Sequence, residues 1–194
     1  MKNVIAALAL VIIGATAVQA QQKWSVDASH SNVLFTVDHL VISEVQGYFK
    51  LFNGSLTATK PDLSDAQVDF SVDVSSINTD NNDRDNHLKS DDFFNAAKFP
   101  AMTFKSTSMK PAGKGKYKLT GVLTIRDVKK TVTFDVSYKG EVKDPWGNTK
   151  AGFIAETSIN RFDYNLKWDT KMEAGGLVVG KDVRIKLNIE MKKG

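Results

Sequence analysis

Apolar residues fall on every second position through most of this chain, and that period admits only strands with one dry face and one wet face. Over 33–39, Val33, Phe35, Val37 and His39 take one side, and Leu34, Thr36 and Asp38 the other. Over 68–74, Val68, Phe70, Val72 and Val74 alternate with Asp69, Ser71 and Asp73. Over 183–191, Val183, Ile185, Leu187, Ile189 and Met191 alternate with Arg184, Lys186, Asn188 and Glu190. The pattern recurs over 102–109, 117–125, 132–138 and 151–159. The stretch 45–59 has the length of one bent strand or two short ones, with Asn53–Ser55 as the expected bend.

These segments predict an all-β fold of eight or nine antiparallel strands, joined by turns such as 111–116 and 144–148. A sheet of that size with a single apolar face must curl on itself or pair with a second sheet. Closure into a barrel also removes sticky edges. An eight-stranded interior is either packed solid or holds one small ligand. Phe35, Phe49, Phe104, Leu123, Phe134, Phe153 and Trp168 fall on or near the inner face, but periodicity does not separate a packed core from a lined cavity.

One segment, about 81–98, breaks the alternation. It is rich in Asp and Asn and reads as one or two helical turns, with Ser90 as N-cap of the Asp91–Phe94 run and Pro100 as its stop. Phe93 and Phe94 are its apolar content and suit it to cover an open barrel end.

Residues 1–20 read as a cleaved secretory signal: Lys2, an apolar run from Val4 to Ile13, then Val18 and Ala20 before a polar start. The run is too short for a membrane span. Residues 21–194 are then a single domain. The chain has no Cys and a formal charge of +4 with both signs interspersed. That composition suits a periplasm better than a disulfide-dense extracellular module, and it does not point to nucleic acid.

Chemical motifs are sparse. His30 and His39, nine residues apart in an extended chain, would lie about 30 Å from each other. His87 sits in the separate insert, so no histidine pair has metal-ligand spacing, and none is expected to hold a metal. No G-x-S-x-G is present, and Ser31 next to His30 reads as a turn opening a strand. No catalytic residue is assigned. His39 stands apart as a polar group on an apolar wall, which needs a partner.

Taken in order, 24–49, 81–107, 119–136, 144–153, 159–166 and 173–190 resemble the YceI-like domain, through D-R-D-x-H-L-x-S-x-D-F-F, F-P-x-M-T-F and D-P-W-G. Lys129 and Lys130 depart from the usual pattern, as does Tyr164, where many relatives have Phe. The resemblance implies an extended, lipocalin-like eight-stranded barrel around a tunnel. No cofactor is implied. The expected ligand is a polyisoprenoid or similar lipid, such as a quinone, a polyprenyl phosphate or a fatty amide.

Phe35, Val37, His39, Phe49, Phe70, Phe104, Leu123, Phe134, Phe153 and Trp168 would line that tunnel. Arg84, Asp85, His87, Phe93, Phe94 and Arg161 would form its mouth or head-group site. The expected role is transport, storage or sequestration in the periplasm by a monomer or homodimer that touches membranes transiently. A lipid-modifying enzyme using His39, and a filled barrel serving as an interaction module, are the alternatives.

Overall fold

The computed structural model describes residues 20–173 and 175–194; the expected export signal lies outside them apart from Ala20. Among the described residues, eleven strands form one antiparallel sheet that closes on itself. They amount to eight, because each of the first three is broken in the middle. The broken strands are β1 (Gln22–Val26) with β2 (Asn32–His39), β3 (Ser43–Phe49) with β4 (Phe52–Ala58), and β5 (Gln67–Asp73) with β6 (Ile77–Asn78). The unbroken ones are β7 (Ala101–Pro111), β8 (Lys116–Ile125), β9 (Val128–Lys143), β10 (Thr149–Asn160) and β11 (Val179–Lys193).

The lower ring runs β1–β4–β5–β7–β8–β9–β10–β11 and back to β1. Higher up, β11 changes partner. Met191–Lys193 pair with β1, whereas Val179–Asn188 pair with β2, which continues to β3 and β6.

Each break has a local cause. Asp27 caps the 3₁₀ turn Ala28–His30 by accepting from Ser29 N at 3.1 Å, and Asp73 does the same for Val74–Ser76 through Ser75 N at 2.8 Å. Between β3 and β4 the chain breaks at Lys50 and Leu51, whose amides donate to Ser76 O and Ser76 Oγ. The expected bend at Asn53–Ser55 is therefore displaced to Lys50–Leu51. Gly54 is instead a site of close approach: it pairs with Phe70, and a Cβ there would lie 2.5 Å from the Phe70 ring.

In the upper half no strand pairing joins β6 to β7 among the described residues, and the polar insert fills that split. Its helix, α1 (Asn82–Lys89), is capped by Asn81, which accepts from Arg84 N; Ser90 is its C-cap rather than the N-cap of a later turn. Phe94 meets Phe49 edge-on at 6.0 Å, and Leu88 and Phe94 pack on Val33, Phe49, Val72 and Ile77. Asp85 ties the helix down by accepting from Thr79 N at 2.8 Å and Thr79 Oγ1 at 2.6 Å. At the opposite end the 59–66 turn plugs the barrel, with Leu63 and Ala66 buried and Tyr117 Oη donating to Asp62 O. The barrel has a closed floor and a covered top.

Candidate functional site

The inner faces do not meet in the middle. Ile185, Leu187 and Ile189 point inward with the core, yet they stay only partly buried because empty space touches them from inside. A lower chamber of about 100 Å³ lies among Phe70, Phe104, Met109, Phe134, Phe153 and Leu187. An upper chamber of about 100 Å³ lies among Phe35, Phe49, Phe94, Tyr164, Val183 and Ile185. Both walls are wholly apolar. Ile185 and Leu187 are successive inward residues of β11, so the chambers follow one another along the barrel axis. A third space of about 340 Å³ forms the mouth between α1, the end of β2 and the loop around Trp168. It shares Phe35, Val37, Leu88, Phe93 and Val179 with the upper chamber.

Most residues expected on the inner face line this space. Phe35, Val37 and Phe49 border the upper chamber, Phe70, Phe104, Phe134 and Phe153 the lower one, and His39 and Trp168 the mouth. Leu123 does not; it is buried in solid packing. Phe93 and Phe94 join the upper wall, so the insert supplies part of the upper chamber as well as its cover.

The expected polar cluster separates into two groups. Arg84, His87 and His39 line the mouth, joined by Asp83. Arg84 donates from Nε and Nη2 to Thr79 Oγ1 and O, at 2.8 and 2.7 Å. His87 Nε2 lies 2.9 Å from Asp92 Oδ2, and its ring stands edge-on to Phe93 and Trp168. No described side chain hydrogen-bonds the His39 imidazole, which opens onto the mouth.

Asp85 and Arg161 are turned to structural use. Asp85 is 6 % exposed and engaged by Thr79. Arg161 is 3 % exposed and donates from Nε, Nη1 and Nη2 to the carbonyls of Gly180, Leu166 and Val179. It pins the Arg161–Tyr164 turn to the start of β11. Burial holds its pKa below the ordinary arginine value, partly offset by the charge of Asp169. Since the upper chamber's wall is apolar, Arg161 shows it only its hydrocarbon stem.

Two features escaped the sequence pattern. Tyr164 and Leu166 lie in the upper chamber's wall but belong to a turn with no alternation to reveal them. Asp27, His30 and Glu190 bring ligand atoms within 4.8 Å of one another, although Glu190 is remote in sequence. Lys150 already supplies the cation there, bonding Asp27 Oδ2 and Glu190 Oε1.

This geometry has close counterparts. The family model described as the YceI-like domain matches residues 24–191. The chain belongs to the YceI-like family. Protein YceI of Escherichia coli is 38 % identical over 160 residues, spanning 82 % of this chain and 83 % of that protein. A UPF0312 protein of Shewanella denitrificans is 39 % identical over 141 residues, 73 % of this chain and 74 % of that one. Among solved structures, BcnA of Burkholderia cenocepacia superposes with a TM-score of 0.74 at 25 % identity, covering 85 % of this chain and 98 % of BcnA. A polyisoprenoid binding domain from Saccharophagus degradans, at 12 % identity, shares the fold with a TM-score of 0.65 over 88 % of this chain and 98 % of its own. The YceI-like barrel is thus common to chains of widely different sequence.

Proposed function

We propose that this YceI-like chain is an exported lipid carrier that holds one long isoprenoid or fatty chain along the tunnel. The observation that carries this reading is the succession of two wholly apolar chambers behind a mouth edged with Asp83, Arg84, His39 and His87. Strand β11 alone would span about 50 Å if fully extended, so the interior suits a chain rather than a compact molecule. Each 40 Å² or so of apolar ligand surface taken from water contributes about 1 kcal/mol. Affinity then grows with chain length and needs no polar contact. The named binding of the Saccharophagus degradans domain supports the same class of ligand.

Loading from a bilayer fits the mouth. The β2–β3 turn beside His39 presents Val41, 74 % exposed, and Ile42, 86 % exposed. Leu40 and Val41 hold positive φ there, an unusual conformation for a β-branched residue, and it is kept on an exposed apolar tip. Residues 1–20 support export, with the periplasm as the working compartment. Native mass spectrometry of protein purified gently from its own host is expected to show a bound lipid of several hundred daltons. A ligand-free mass, together with no uptake of an isoprenoid quinone, would overturn the reading.

The unpaired His39 imidazole supports a second reading, a lipid-modifying enzyme. Turnover of a bound lipid that disappears in His39→Gln while binding persists would establish it. Intact ligand recovered after prolonged incubation favours the carrier.

A further inference from the structure

The floor end of the barrel, opposite the mouth, displays an aromatic ring on a rigid tip. The ladder between β8 and β9 ends at Lys116 and Ser137, yet β9 runs on to Lys143 and returns as β10 from Thr149. The hairpin therefore reaches about 20 Å past the edge of β8. Its turn, 144–148, is locked. Asp144 Oδ1 accepts from Trp146 N at 3.0 Å and from Asn148 N at 2.8 Å, and Gly147 N donates to Asp144 O. Pro145 presets the turn, and Gly147 supplies the positive φ of 87° that closes it. Trp146 is held there 84 % exposed, with Val142 on the adjoining arm 66 % exposed. A lone apolar residue on a surface needs no explanation. What distinguishes this one is the charge around it.

The strand ends and turns of the floor end are 22–24, 57–66, 109–118, 138–150 and 191–194. They hold eleven lysines against four carboxylates. The whole chain carries only +4, so the rest of the molecule is net acidic. Among the described residues, Lys118, Lys150 and Lys193 meet a carboxylate. Lys23, Lys110, Lys114, Lys139, Lys143 and Lys192 are exposed and have no carboxylate among the described ion pairs.

We propose that the floor end docks on an anionic lipid bilayer, with Trp146 in the headgroup layer and the lysines on the headgroup charges. Tryptophan settles at that depth because its ring is apolar while its indole N–H is not. Each lysine brought near such a surface adds about a fivefold gain in affinity. A second copy of this chain is a poor occupant, since two faces of this charge repel. A dissolved polyanion would satisfy the lysines but leave Val142 and the Trp146 ring in water. The inference stands apart from the carrier reading, because neither chamber includes the hairpin.

The test is co-sedimentation with vesicles of phosphatidylcholine alone, and of phosphatidylcholine with phosphatidylglycerol added. The protein is expected to bind only the anionic vesicles and to leave them as salt rises. Trp146→Ser should weaken binding about tenfold, and the pair Lys114→Gln and Lys143→Gln about twentyfold. These side chains are exposed, so the variants should keep the Tm of the unmodified protein. Tryptophan emission should shift to the blue on anionic vesicles, and Trp146→Phe should abolish the shift. A shift that persists in Trp146→Phe would place the contact at Trp168 and the mouth, and overturns the inference. Equal binding to both kinds of vesicle overturns it too, as does binding to inorganic polyphosphate with none to anionic vesicles.

Discussion

The Lys150 ammonium stands 3.0 Å from Glu190 Oε1 and also bonds Asp27, so one lysine of β10 ties the first bend of the chain to β11. Lys150, hydrogen-bonded to Asp27, is the largest cause of an Asp27 pKa well below the usual carboxylate range, with Ser29 and His30 adding to it. A carboxyl depressed in the folded state binds its proton later than in the unfolded chain. Its stabilisation is therefore complete above the ordinary value of 3.8 and lost as pH falls below it. Asp27→Asn should lower Tm by roughly 2–5 °C at pH 7. That difference should shrink steadily between pH 4 and pH 2, as thermal melts in a pH series would show. A constant difference would mean that the cluster does not act through charge.

Arg126 holds the lid. Its Nη1 donates to Asp91 O, Phe93 O and Asn165 O, and its Nη2 to Asp91 Oδ1, so one side chain joins the insert to the turn that carries Tyr164. Truncation leaves three carbonyls without their donor, that of Phe93 in a partly buried contact. Arg126→Ala should cost about 2–4 kcal/mol and raise amide hydrogen exchange over 88–99 more than in the β8–β9 core. Lipid should leave faster through the loosened cover. Uniform exchange across the barrel would show that the insert and barrel unfold as one unit.

Ala155 and Leu187 face each other across β10 and β11 and both line the lower chamber. Ala155→Phe places a ring in that void at little cost in stability, because empty space receives it. Long-chain ligands should then lose tenfold or more in affinity. Ligands short enough to stop in the upper chamber should bind as before. Isothermal titration across a series of chain lengths would show the break.

The exposed tip provides a kinetic prediction. Replacing Val41 and Ile42 with Asp removes apolar surface at the mouth without touching either chamber. Transfer of a fluorescent isoprenoid from vesicles should slow by about tenfold, whereas equilibrium affinity for lipid delivered in detergent should not change. Equal rates would place loading elsewhere.

Alternation alone determined which side of each strand became the interior. Val33, Phe35 and Val37 point in and Asp38 points out because a side chain on a strand has only two directions open to it. Counting such runs narrowed the strands to eight or nine, and the failure of the pattern over 81–98 marked the insert. Periodicity carries no information on how far apart opposing faces stand. Only the closed barrel decided that Leu123 packs solidly while Phe134, on the neighbouring strand, borders open space. Tertiary structure also decided the fate of the polar candidates. Asp85 is engaged by Thr79, and Arg161 by three carbonyls that its own sequence neighbourhood does not announce. The Tyr164 hydroxyl, without a hydrogen-bond partner among the described residues, was equally hidden, because whether a buried donor finds a partner depends on residues brought together by folding and not on the order in which they are joined.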